Sequence, residues 1–178
     1  METGILISGT GGQGIIATGE FLAEALFMEG YEVINTRSYG SEARGGSCRS
    51  EVIVSDSEIY DLQLEEADIL IALSEPAFRR YQSQLKKGTL ALVDTTILEK
   101  LEEDDLRTDV DLKVIPAVES AKDLGNPIVA NMVLLGALAG ISDFVSLQSL
   151  KKAIVEMMRP SMRDVNLKAL EAGNSYNI

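Results

Sequence analysis

The 178-residue sequence predicts one α/β domain, spanning 1–178: a mostly parallel sheet with helices on both faces and a helical C-terminal section. Three observations lead there. Short apolar runs alternate with helical patterns, which is how parallel strands and their crossover helices read. A glycine cluster stands at the first strand-to-helix junction. The last third of the chain carries helical periodicity without further strand signals.

Taken in order, Ile5-Leu6-Ile7-Ser8 is a short apolar run ended by glycines and reads as a buried strand. Ile15, Gly19, Leu22 and Leu26 then recur at helical spacing, and Gly30 supplies a stop signal. Tyr31 to Thr36 reads as the second strand. Together they make one βαβ unit and give the fold its Rossmann-like character. Arg37 to Gly46 is a polar loop bearing glycines. From Ser47, the alternation of Cys48, Ser50, Val52 and Val54 with Arg49, Glu51 and Ile53 predicts a half-exposed strand.

Asp68–Leu73 and Thr89–Val93 are further strands, with a helix near Pro76–Leu85 in which Pro76 takes the first turn. Glu99–Asp111 is rich in acids and reads as a solvated surface segment. Val114-Ile115-Pro116 is the last strand. Helices follow over Ile128–Gly140, over Leu147–Met158 and after Pro160. Within the first of these, Gly136, Ala137, Ala139 and Gly140 permit close packing.

Composition narrows the function. Sixteen basic against 28 acidic residues leave a net charge of −12, which argues against nucleic acid or anionic membrane as partner. There is no histidine, so Ser-His-Asp, Cys-His and His-zinc chemistry are excluded. One cysteine, Cys48, makes neither a disulfide nor a four-cysteine cluster, and it reads as a residue on the inward or interface face of its strand. The start METGILISG has no basic region leading into a long apolar run, and Ile128–Ile141 is shorter than the ~20 residues of a membrane span. A cytoplasmic protein is expected. No residue suggests itself as catalytic, and no metal site is expected.

The candidate binding residues fall in two segments. Gly9-Thr10-Gly11-Gly12-Gln13-Gly14 matches G-x-G-x-x-G between a strand and a helix. Gly9, Gly11, Gly12, Gln13 and Gly14 either cradle a phosphate against the helix N-terminus or form a tight packing turn. The dinucleotide version of the motif expects an acid at the end of the second strand. Here Asn35-Thr36-Arg37 stands instead, which disfavours NAD and offers Arg37 to a phosphate group. The second segment is Ser38-Tyr39-Gly40-Ser41-Glu42-Ala43-Arg44-Gly45-Gly46. Arg44 before Gly45 and Gly46 presents a fork of donors to phosphate or carboxylate, or pairs with Glu42. Tyr39 stacks on a ring or anchors the loop. Asn131 caps a helix or touches a ligand.

The two segments, with the strand from Ser50 to Asp56 and with Ala130-Asn131-Met132-Val133-Leu134-Leu135-Gly136, resemble the gamma subunit of 2-oxoacid:ferredoxin oxidoreductases. Among these, the tyrosine–glycine–glutamate–arginine–glycine–glycine loop looks more like the 2-oxoglutarate and branched-chain types than the pyruvate or indolepyruvate types. The resemblance implies a subunit inactive alone, working with alpha, beta and delta (ferredoxin-like) subunits and, through them, with ferredoxin. It implies oxidative decarboxylation of a 2-oxoacid with coenzyme A, and it leans to 2-oxoglutarate. Thiamine diphosphate, Mg and iron–sulfur clusters are then expected in the partner subunits and none in this chain, with coenzyme A as a substrate that this chain helps to hold. Two readings stand beside it: a free Rossmann-type nucleotide-binding oxidoreductase, and an assembly module whose glycine turn binds nothing.

Overall fold

The computed structural model describes residues 2–39 and 46–176. Its six strands are β1 (Glu2–Thr10), β2 (Glu32–Tyr39), β3 (Ser47–Ser55), β4 (Ala67–Ala72), β5 (Leu85–Asp94) and β6 (Asp111–Ile115). They form one sheet in the order β2-β3-β1-β4-β5-β6. The pairs β1–β4, β4–β5 and β5–β6 are parallel; β3 runs antiparallel to both β1 and β2. The expectation of a mostly parallel sheet holds.

The helices are α1 (Ile15–Met28), α2 (Glu75–Tyr81), α3 (Thr95–Leu98), α4 (Ala117–Asp123), α5 (Ala130–Ile141), α6 (Leu147–Met157) and α7 (Pro160–Asn174). One sheet face, carrying Ile5, Ile7, Val52, Val54, Ile69, Ile71, Leu92 and Ile115, packs against α1, α4 and α5, with α6 and α7 outside them. The other, carrying Leu6, Leu70, Ala72, Ala91 and Val93, packs against α2 and α3. Burial of these two faces is what the near-continuous apolar runs of β1, β4 and β5 encode.

Three expectations are corrected. The first β-α-β stretch is not an adjacent pair of strands: β3 lies between β1 and β2, pairing Glu2–Thr10 on one side and Glu32–Tyr39 on the other. β3 is therefore an interior strand rather than a half-exposed one. Ile53 is 4% and Glu51 8% exposed although both fall on the alternation's polar phase. The second strand also runs on through Arg37, Ser38 and Tyr39, which read in sequence as loop. Their pairing with Ser50, Arg49 and Cys48 extends it, a long-range partner that local polarity does not reveal.

The acidic segment before β6 is solvated on the outside and clamped on the inside. Arg79 binds the carboxylates of Glu75 and Asp105 and the carbonyl of Lys100. Arg107 grips Asp109 through two nitrogens at 2.8 Å and donates to the carbonyls of Gln82 and Leu85. No helix among the described residues is long and apolar enough to cross a membrane.

Candidate functional site

The chain moves from β1 to β2 and β3 on one side of the sheet and to β4 on the other. The carboxyl ends of β1 and β4 therefore flank the point where open α/β sheets form their ligand crevices. The glycine turn sits there. Its internal hydrogen bonds are largely made by one side chain. Gln13 Oε1 accepts from the Thr10 N–H at 2.7 Å, and Gln13 Nε2 donates to the Leu73 carbonyl, just past β4, at 2.8 Å. Gln13 thus staples the end of β1 to the end of β4. Gly9 is what lets it fold back, since a Cβ there would lie 2.5 Å from Gln13 Oε1.

Gly14 is the N-cap of α1 with φ 72°, a left-handed conformation natural to glycine. It is also crowded: a Cβ would stand 2.5 Å from Asn131 Nδ2. Asn131, 5% exposed, donates to Thr18 Oγ1 at 2.9 Å and to the Gly14 carbonyl at 3.4 Å, while its Oδ1 accepts from the Met132 N–H. It ties the start of α5 to the start of α1 from behind the turn. No side chain caps α1, so its first N–H groups face the carboxyl edge with the positive end of the helix dipole behind them.

The Gly11 N–H donates to the Gly46 carbonyl at 3.1 Å, which brings the returning end of the second candidate segment against the turn. Arg37, on β2, forms an ion pair with Glu20 of α1 at 2.6 Å. Because β3 fills the lane beside β1, Arg37 lies two strand spacings, about 10 Å, from the glycine strand. That displacement moves it out of the place a dinucleotide's ribose partner takes, and it weighs against the free nucleotide-binding oxidoreductase. Tyr39 ends β2 and is 67% exposed. Glu42, Arg44 and Gly45 lie outside the described residues. Cys48 is 7% exposed on the inward face as expected, and burial pushes its thiol pKa up, which makes it a poor nucleophile.

A cleft of about 190 Å³ opens beside the turn. Gly12 and Gln13 form one wall. Leu73, Ala117, Val118, Pro127, Ile128, Ala130 and Leu134 form the apolar remainder, and Asp94 completes the lining. Asp94 was not singled out from the sequence. It is 1% exposed and ends β5. Its Oδ1 accepts from the backbone and hydroxyl of Thr96 and its Oδ2 from the Val118 N–H at 2.8 Å, so one carboxylate caps α3 and anchors α4. An aspartate directly after an apolar strand and before Thr95-Thr96 is an N-cap signature, and that was the signal available. A buried carboxylate and apolar walls make this cleft better suited to an uncharged, partly apolar group than to an anion.

Among the described residues no group of three or more Cys, His, Asp or Glu is placed to hold a metal ion. With one cysteine and no histidine in the chain, the donor set does not fit an iron–sulfur cluster.

The comparisons with known proteins agree with this geometry. A family model described as pyruvate ferredoxin/flavodoxin oxidoreductase matches residues 4–176. The 2-oxoglutarate synthase subunit KorC of Methanocaldococcus jannaschii is 38% identical over 177 residues, covering 97% of this chain and 92% of that protein. Among solved structures, the gamma subunit of a keto/oxoacid ferredoxin oxidoreductase from Geobacter sulfurreducens superposes with a TM-score of 0.84 at 34% identity, over 98% of this chain and 95% of that one. A 2-oxoglutarate:ferredoxin oxidoreductase from Magnetococcus marinus, solved with 2-oxoglutarate, coenzyme A and succinyl-CoA bound, gives the same TM-score at 28% identity. There this chain is covered to 97% but matches only 30% of the longer chain. The overall fold is thus shared with the gamma subunit of a keto/oxoacid ferredoxin oxidoreductase, and the chain belongs to the pyruvate ferredoxin/flavodoxin oxidoreductase family.

Proposed function

We propose that this chain is the gamma subunit of a 2-oxoglutarate:ferredoxin oxidoreductase, in which 2-oxoglutarate, coenzyme A and oxidised ferredoxin give succinyl-CoA, carbon dioxide and reduced ferredoxin. The observation that carries the reading is the 38% identity to 2-oxoglutarate synthase subunit KorC over nearly the full length of both chains. The chain works in the cytoplasm with alpha, beta and delta subunits, which hold the thiamine diphosphate with its Mg ion and the iron–sulfur clusters. The donor set of this chain supports that division of labour.

Its own contribution is to complete the assembly and to receive part of coenzyme A at the carboxyl edge of the sheet. The cleft supports this, with apolar walls for methylene groups. The N–H groups at the start of α1 supply donors, and Asp94, with three bonds already made, keeps acceptor capacity for an amide N–H. The glycine turn, Tyr39, Gly46 and Asn131 shape or border that edge in this reading.

The test is affinity purification of the tagged chain from its native host without oxygen. A brown complex with larger subunits that reduces ferredoxin with 2-oxoglutarate and coenzyme A is the expected result. A colourless chain recovered alone contradicts the reading, and activity with another 2-oxoacid in place of 2-oxoglutarate refutes the substrate.

A further inference from the structure

On the flank of the glycine turn away from the cleft, α2 brings a different chemistry to the same edge. Tyr81, the last residue of α2, is 4% exposed. Two guanidinium groups lie over its ring, that of Arg80 at 5.4 Å and that of Arg49 at 5.7 Å from the centroid. Arg80 Nη1 also donates to Ser47 Oγ at 3.2 Å. Ser47 is the register partner of Thr10, and Gly46 before it accepts the Gly11 N–H, so the cluster is built against the turn itself.

The two arginines differ in their counter-ions. Arg49 pairs with Glu51 at 3.1 Å, a carboxylate that the Thr36 hydroxyl also shares. Arg80 meets no carboxylate among the described residues, in a chain with 28 acids and 16 bases. A guanidinium held by ring stacking and a hydroxyl, with no carboxylate against it among the described residues, offers its positive charge to a ligand. Arg49 also reaches a separate cavity of about 350 Å³ over β2 and β3, whose lining includes Arg37 and Glu51 but neither Arg80 nor Ser47.

We infer that Arg80, with Ser47 and Arg49, forms an anion site that takes a phosphoryl group. The donors converge from α2 and from two positions of β3. A tetrahedral phosphoryl group spreads three oxygens in three directions toward such separated donors, whereas a carboxylate presents its two oxygens in one plane. The site complements the cleft: the apolar walls and Asp94 on one flank of the turn receive an uncharged arm, and Arg80 on the other receives phosphate. Assigning that phosphate to coenzyme A rests on the reading under Proposed function; the site itself does not.

The probe is inorganic pyrophosphate, titrated calorimetrically into the full-length chain at low ionic strength, beside Arg80→Ala and Arg80→Lys. One saturable site is expected, weakened about tenfold in Arg80→Ala by loss of a charge-assisted contact and partly restored in Arg80→Lys. Added salt weakens it further. Arg80 is exposed, so both variants fold, which an unchanged unfolding midpoint verifies. No binding by the parent chain, equal binding by Arg80→Ala, or succinate binding as tightly as pyrophosphate each overturns the proposal. In the assembled enzyme, Arg80→Ala is expected to raise the KM for coenzyme A more than it lowers kcat. If pyrophosphate binding falls while that KM stays, the phosphoryl site stands and its assignment to coenzyme A fails.

Discussion

Gln13→Glu changes one atom of the side chain that staples the glycine turn. The Oε1 acceptor to the Thr10 N–H survives, while the Nε2 donor to the Leu73 carbonyl becomes an oxygen facing that carbonyl from about the same 2.8 Å. The lost bond and the carbonyl left without its donor cost about 1–3 kcal/mol. For a domain of this size, that lowers Tm by roughly 3–10 °C. The new carboxyl gains a repulsive oxygen neighbour, with the buried Asp94 carboxylate lining the same cleft. Its folded pKa is therefore raised above the unfolded value of about 4.3. The sign follows: the penalty is full at pH 7 and is relieved as pH falls through the raised value, because the protonated acid donates to Leu73 again. Thermal unfolding of both proteins from pH 4 to pH 8 measures the gap. Equal midpoints at pH 7, or a gap that does not shrink on acidification, refutes the staple.

Other consequences are equally direct. Helices α5 and α7 touch backbone to backbone at Gly136, where a Cβ would stand 2.1 Å from the Leu170 carbonyl oxygen. Gly136→Ala is expected to cost about 2 kcal/mol net of the ~1 kcal/mol that alanine returns in helix propensity. Gly140→Ala, with its nearest contact at 3.2 Å, stays near the parent in the same denaturant titration. Arg107 and Arg79 hold the carboxyls of Asp109 and Asp105 below the usual range. Depressed carboxyls stabilise the fold above the unfolded pKa of about 3.9 and lose that contribution as pH falls through their folded values. The midpoint difference between the parent and Arg107→Ala is therefore steady at neutral pH and shrinks below about pH 4.

What was legible in the sequence is what depends on near neighbours. The apolar run of β1, the glycine turn behind it, the stop at Gly30 with its φ of 96° and the helices from Leu147 and Pro160 all follow from spacing and backbone freedom. What depends on distant partners was not. Nothing local says that β3 slips between β1 and β2, or that Glu51 is buried by a contact with Thr36 and Arg49. The short α3 and α4 were missed because four and seven residues give too little periodicity. The candidate site divides the same way. Its glycines announced themselves by motif, but the contacts of Gln13 and Asn131 reach 60 and 117 residues along the chain. Asp94 had an N-cap signal that went unread; Arg80, an ordinary exposed helix arginine, had none.

The central claim is that this chain completes a 2-oxoacid oxidoreductase without holding its redox centres. The most direct measurement is reconstitution: partner subunits prepared without this chain under oxygen-free conditions, assayed for reduction of ferredoxin with 2-oxoglutarate and coenzyme A before and after the purified chain is added. The account predicts little activity before addition and full activity at a stoichiometric amount, with the iron content of the complex unchanged. Equal activity with and without the chain, or iron that enters with it, contradicts the account.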